Sequence, residues 1–298
     1  MRIPDRPALE GYEGMGCRIC PRGCGAARPG GFCGMPESPV VSRAALHFWE
    51  EPCISGTRGS GAVFFAGCNL RCVFCQNHEI SAGKKGTEIS VSRLRGIFRE
   101  LEAQGAHNIN LVTGTHFAPA IAEALDPQPG IPVVWNCGGY ESVDTLRLLE
   151  GRVQVWLPDM KYSNPRAAAE LSAAGDYPNA AARAIREMFR QSGRYELDAD
   201  GMLVRGVMIR HLVLPGLLDN TFGVLDWIAE NFRPGDVLVS LMGQYTPNGR
   251  GGPDRRLAPE EYARAVSYME ALGLLEGYTQ ELSAAGEEYT PPFDGTGV

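Results

Sequence analysis

Residues 67–77 read GCNLRCVFCQN, with Cys68, Cys72 and Cys75 inside eleven positions. The chain has nine cysteines in 298 residues, so a C-x3-C-x2-C arrangement arises by chance in about one such chain in a hundred, and the spacing is informative. It follows a short apolar run, AVFFAG at 62–67, which places the cysteines on the loop leaving a strand. Three thiolates hold three irons of a 4Fe-4S cluster, whereas complete protein ligation takes four. The fourth iron is then open to a substrate or cofactor. A catalytic zinc with three protein ligands is the competing reading, although all-thiolate sets of three are unusual for it.

Downstream, five more apolar runs recur: NINLVT (108–113), IPVVWN (131–136), VQVWLP (153–158), VMIRHLVLP (207–215) and VLVSLM (237–242). Amphipathic stretches lie between them, the first with Ser90 as N-cap and Gly105 as stop, others beginning near Ser142, Asn179, Phe222 and Pro259. Near-continuous Val/Ile/Leu strands alternating with helices predict an α/β fold with a helix-covered parallel sheet. Six units fit a doubly wound sheet or a partial (β/α)6 TIM-type barrel, and no GxGxxG follows the first strand to favour the dinucleotide-binding version. Polar or glycine-bearing segments follow the strands at 68–75, 113–116, 136–141, 159–162, 216–220 and 244–247. Those are the strand ends where such folds place their active sites.

Composition narrows the function. The chain is 44% hydrophobic with a formal net charge of -7 and scattered basic residues, which argues against a nucleic-acid or anionic-membrane surface. The first residues lack an apolar signal core, and no apolar run reaches the length needed to span a bilayer. A cytoplasmic protein is expected, and in a reducing cytosol clustered cysteines read as metal ligands rather than disulfides. Cys53 and Cys137 stand apart and read as small buried or pocket residues.

Residues 1–59 are rich in Gly and Pro and read as a loop-rich cap that needs a metal for order. There CRICPRGCGAARPGGFCG presents Cys17, Cys20, Cys24 and Cys33, a complete four-thiolate set that fits zinc or a second 4Fe-4S cluster. The knuckle-like CRIC and the Pro/Gly-rich spacer lean it toward structural zinc. The barrel is expected over 60–282, and 283–298 as an extended tail acting as a strap.

C-x3-C-x2-C directly after a first parallel strand, with Phe74 before the last cysteine, resembles the radical S-adenosylmethionine superfamily. The stretches LHFWEEPCISGTRGSGAVFFAGCNLRCVFCQN, NINLVTGTHF, WNCGGYES, LPDMKY, MIRHLVLPG and LMGQYTP extend the likeness, in order from Leu46 to Pro247, to the pyruvate formate-lyase activating enzyme-like branch. The resemblance implies that S-adenosylmethionine chelates the unique iron of a 4Fe-4S cluster on Cys68, Cys72 and Cys75. Its reductive cleavage yields a 5'-deoxyadenosyl radical that removes a hydrogen atom from substrate. It further implies cofactor contacts from Phe74, Thr113, Asn136, Asp159, Lys161, Arg210 and Gln244, with a Lys161 ammonium suited to the methionine carboxylate. A reductant such as flavodoxin or ferredoxin is implied, with a glycyl-radical enzyme as the target.

A peptide, another protein residue or a small molecule stays open as substrate. An iron-sulfur electron-transfer or interaction protein is the reading from another class. Two segments depart from the family pattern: Thr113-Gly114-Thr115-His116 stands where a Gly-Gly-Glu-like segment is common, and Gln244-Tyr245 where activating enzymes often present a histidine.

Overall fold

The structure is a computed structural model and describes residues 16–280, 282 and 290–298. Its strands are β1 Val40–His47, β2 Ser60–Phe65, β3 Thr87–Glu88, β4 Ile109–Val112, β5 Val133–Cys137, β6 Val155–Pro158, β7 Glu196–Leu197, β8 Leu203–Leu212, β9 Leu238–Met242 and β10 Gly277–Thr279. They order as β10-β9-β8-β6-β5-β4-β2-β1-β3, with β7 on the side of β8. Every pairing from β2 to β10 along this path is parallel. Strands β1 and β3 add an antiparallel edge.

Chain order and spatial order coincide from β2 to β10. A doubly wound sheet must reverse its order at a switch point, whereas here the order never reverses and the crossover helices pack on one face of the sheet. One cluster joins Val63, Phe65, Leu111, Trp135, Trp156, Ile209 and Leu241 of the strands to Leu94, Ile121, Leu146, Ile185, Leu225 and Ala265 of the helices. Residues of the opposite strand parity, Val134, Val155, Leu157, Met208 and Leu238, close instead on Cys53 and Ile54. The fold is therefore a partial TIM-type barrel whose inner face is plugged by the short helix Pro52–Ser55.

All six apolar runs become strands. The helix Val91–Ala103 starts where Ser90 Oγ accepts the Arg93 amide at 3.1 Å, and Gly105, at φ 86°, follows its end. The sequence reading missed β1, which lies within the stretch taken as loop-rich. Its VVSRAALH mixes small, basic and apolar residues because only part of the strand is covered, with burial fading toward His47. Of the expected strap, 283–289 lie outside the described residues. Beyond them the Ala44 amide donates to Thr296 O (2.8 Å), and Phe293 meets Phe64 edge-on at 5.5 Å, so the last residues lie along β1. Among the described residues no helix is long and apolar enough to cross a membrane.

Candidate active site

The strand C-terminal ends open into a cavity of about 660 Å³ lined by Cys68, Cys72, Phe74, Cys75, Thr113, Asn136, Asp159, Lys161, Arg210 and Gln244, the full set singled out from the barrel sequence. Its floor is ionic. Arg210 of β8 donates from Nε to Asp159 (3.0 Å), from Nη1 to Glu50 (3.2 Å) and from Nη2 to Asn136 Oδ1 (2.6 Å). Asn136 Nδ2 donates back to Glu50 at 2.9 Å, and Lys161 Nζ meets the other Asp159 oxygen at 2.5 Å. Strand parity explains the convergence, since 136, 159 and 210 continue the inward rows of Val134, Leu157 and Met208. The backbone fixes them too: Met160 donates to Arg210 O at 2.8 Å, and the Asp159 amide to Cys137 O at 2.9 Å.

Burial alone would raise the Asp159 carboxyl, but the charges of Arg210 and Lys161 outweigh it and hold the group below its ordinary value. Burial disfavours the Lys161 ammonium, yet Asp159 and a Cys72 thiolate favour it, so Lys161 stays protonated. Glu50 is the partner that sequence reasoning missed. It sits in the quoted stretch as one of two consecutive glutamates, with nothing to mark it until the strands bring Arg210 above it. Its neighbour Glu51 accepts from Ser240 Oγ at 2.8 Å.

The three thiols face this floor. Burial pushes Cys72 up to about 12 and raises Cys68, with Lys161 pulling Cys72 back. Each sulfur receives a donor: the Leu70 amide at 3.3 Å to Cys68, Ser172 Oγ at 2.9 Å to Cys72 and Ser81 Oγ at 3.4 Å to Cys75. The loop is held in shape by Arg71 at φ 53° and Gly67 at φ 80°, where a Cβ would stand 2.4 Å from Met35 Cγ. Desolvated thiols that already accept hydrogen bonds suit an electron-poor metal centre, which removes the proton that burial retains. Among the described residues no three Cys, His, Asp or Glu side chains, whether on this loop or among Cys17, Cys20, Cys24 and Cys33, already form the ligand set of a single ion. The donor set fits a cluster, which spreads its thiolates over separate irons. Two further cavity-lining atoms, Thr246 Oγ1 and Gln280 Oε1, are buried without a hydrogen-bond partner among the described residues and so can serve a ligand.

Thr113 takes φ 61° directly after β4 while its amide donates to Asn136 O at 2.8 Å. A β-branched residue in the left-handed region is strained, and it lies on the cavity wall. Phe74 packs against Tyr245 with ring centroids 6.1 Å apart. His116 and His211 face away from the cavity. His116 Nε2 bonds Ala66 O at 2.7 Å, His211 bonds Met160 O and Thr221 Oγ1, and burial lowers both to about 4, so both are neutral core residues.

Gly139 sits at φ 75° where a Cβ would stand 2.1 Å from Asp159 O and 2.9 Å from Tyr177 Oη. Tyr177 in turn accepts from the Lys161 amide at 2.9 Å and donates toward Asp159 O at 2.7 Å. Gly139→Ala is expected to cost at least about 2 kcal/mol of stability, from left-handed strain plus displacement of the Asp159 backbone. Urea unfolding measures it, and unchanged stability would remove this close approach as the reason for a glycine.

The four N-terminal cysteines lie outside the cavity, on a segment docked behind the loop. Arg22 Nε donates to Asn69 O at 2.8 Å, and its guanidinium also reaches Ser172 O and Ala173 O. Ile19 O accepts from Ser142 and Thr145, and Arg28 donates to His116 O at 2.7 Å. Amides of Ile19 and Arg22 face the Cys17 and Cys20 sulfurs, both raised by burial. Burial alone would raise Cys24, but hydrogen bonds from the amides of Ala26, Phe32 and Cys24 and from Cys17 together outweigh it and hold the thiol below its ordinary value. Cys53 and Cys137 are buried, and Cys137 reaches the cavity wall.

A family model described as the radical SAM superfamily matches residues 62–223, more than half of the chain. The chain is 31% identical over 274 residues to an uncharacterized protein of Methanocaldococcus jannaschii, covering 87% of this chain and 75% of that one. Its fold is similar to Streptococcus suis SuiB bound to precursor peptide SuiA, with a TM-score of 0.50 and 13% identity over 74% of this chain. It spans about half, 48%, of that SuiB chain. A domain of pyruvate-formate lyase-activating enzyme from Bacteroides vulgatus matches at a TM-score of 0.38 and 14% identity, over 55% of this chain and 89% of that one. The cysteine loop at the head of the barrel lies within the matched residues, and the chain belongs to the radical SAM superfamily.

Proposed function

We propose that this chain binds a 4Fe-4S cluster through Cys68, Cys72 and Cys75, binds S-adenosylmethionine beside it, and takes a hydrogen atom from a glycine of a partner glycyl-radical enzyme in the cytoplasm. Superfamily membership itself implies the cluster, the cofactor and a reductant. The observation that carries the reading is the set of three hydrogen-bonded thiols sharing one cavity with the buried Asp159–Lys161 pair. When bound, the cofactor supplies a carbon radical on receiving an electron from the cluster.

The chain's residues divide the remaining work. Lys161 is free to meet a carboxylate with its remaining N–H donors, and Asp159 sets its position. Arg210 commits its nitrogens to Asp159, Glu50 and Asn136, so its role is to hold the floor rigid. Phe74, Thr113, Asn136 and Gln244 line the remaining cofactor volume, while Leu70, Leu212 and Met242 exclude water.

A macromolecular target is supported by Phe48 and Trp49, which are 49% and 63% exposed at the cavity rim. The sequence resemblance supports a glycyl-radical enzyme; a peptide or another protein residue is the alternative target. Amides aimed at the Cys17, Cys20 and Cys24 sulfurs support a structural metal on those residues and Cys33, zinc or a second 4Fe-4S cluster.

The test is EPR on anaerobically reconstituted, reduced protein with and without S-adenosylmethionine, with iron and zinc counted on the same sample. A cofactor-induced change in the cluster signal is expected. An intact cluster whose signal ignores the cofactor would leave an electron-transfer protein instead. Radical EPR on a glycyl-radical partner mixed with the reduced enzyme then tests the target, and no glycyl signal would move it to a peptide or another residue.

A further inference from the structure

Cys72 is held by a hydroxyl chain that the cofactor-binding reading does not use. Ser172 Oγ donates to Cys72 Sγ at 2.9 Å, and Tyr162 Oη stands 2.7 Å from Ser172 Oγ. A hydroxyl has one proton, so with the Ser172 proton on sulfur the Tyr162 proton points to Ser172. Ser172 is 1% exposed and Tyr162 is fully buried. Two buried hydroxyls in series polarise each other in the same sense, toward the sulfur.

The arrangement is built from both sides. Ser172 ends the helix Pro165–Ser172, where a serine usually bonds back to the carbonyl four residues earlier. Here it turns to the cysteine loop instead. The helix begins at an Asn164 cap that accepts the Arg166 amide at 2.9 Å, and ends at Ala173 in the left-handed region. Its final carbonyls, on Ser172 and Ala173, are taken by Arg22 from between Cys20 and Cys24. The loop is tied to the same helix end one residue further on, where the Val73 amide donates to Leu171 O at 2.9 Å. The backbones that carry the Ser172 hydroxyl and the Cys72 sulfur are therefore held in register with each other. Among the three sulfurs of the loop, Cys72 has the shortest donor.

We propose that Ser172, polarised by Tyr162, is a positioning residue that raises the reduction potential of the cluster held by Cys72. The proposal rests on the cluster reading above. A hydrogen bond to a thiolate ligand withdraws electron density and favours the reduced, more negative cluster, so its loss makes the cluster harder to reduce. The predicted order is wild type, then Tyr162→Phe, then Ser172→Ala, from highest to lowest potential, because the first variant weakens the bond and the second deletes it.

The experiment is a redox titration of the three reconstituted proteins followed by EPR, with iron content and resonance Raman of the iron–sulfur stretches on each. Lower potential in both variants, Ser172→Ala lower than Tyr162→Phe, with iron content unchanged and the stretches shifted up, is the expected result. Full iron content with potentials and stretches equal to wild type would overturn the role of Ser172 while leaving the cluster standing. A wild-type protein whose iron content does not fall on Cys72→Ala would carry no cluster on the loop and would instead overturn the functional reading, so that comparison tells the two failures apart. Should Ser172→Ala fold poorly, Tyr162→Phe still decides, since it keeps the serine and every backbone anchor.

Discussion

Cys72→Ala is expected to reduce S-adenosylmethionine cleavage to the uncatalysed background while the protein keeps its barrel. The loop supplies three thiols, and a cluster with two of them has lost both its anchorage and the geometry that leaves one iron open. Cys72 is also the thiol that couples to Lys161 and to Ser172, so on the proposed reading its removal would detach the cluster from the floor of the cavity and from the neighbouring helix. The effect on folding is modest by comparison. Removing one buried sulfur leaves the Ser172 hydroxyl without its acceptor, a penalty of about 1–3 kcal/mol. Anaerobic product analysis beside circular dichroism separates the two effects. Cleavage at the wild-type rate with a folded protein would refute a cluster on this loop.

How far the sequence carried this picture depended on whether a residue's job is local. The strands were legible because runs such as NINLVT and VQVWLP are apolar on both faces, a property of the segment itself. The choice of a partial barrel over a doubly wound sheet was legible through the family resemblance rather than through the pattern of runs, since spatial order depends on pairings between strands far apart in sequence. The cysteines were singled out through their spacing, and Asp159 and Lys161 through the family resemblance. Glu50, Ser172 and Tyr177 were not, because each acts through a partner 16 to 160 residues away and leaves no pattern of its own. Strand β1 was hidden for a related reason: a strand next to the sheet edge, with half of its residues only partly buried, need not be apolar. Burial separated Arg210 from His211, adjacent on one strand and opposite in role; a period of two puts one in the cavity and the other among the helices.

Arg210→Met should be the most destabilising single change in the floor of the cavity. Arg210, Glu50 and Asp159 are 13%, 11% and 13% exposed, so solvent does little to rescue a carboxylate left behind. Deleting the guanidinium strands Glu50 with Asn136 as its remaining partner, leaves Asp159 to Lys161 alone, and deprives Asn136 Oδ1 of its donor. Breaking a buried pair in this way costs about 3–5 kcal/mol. Adding Glu50→Gln should return part of that loss, because it removes one of the two carboxylates that lost a partner. The pH dependence carries a sign. Asp159 is held below its ordinary value of 3.8 in the folded chain, so its stabilisation is present above that value and is lost as pH falls below it toward the folded value. Arg210→Met relaxes that depression, so the stability gap between wild type and variant should narrow under acid. Urea unfolding across pH measures both effects. A gap that stays constant through the acid range would mean that Arg210 acts through packing rather than through the carboxylate it bonds, and the floor would then be a steric platform instead of an ionic one.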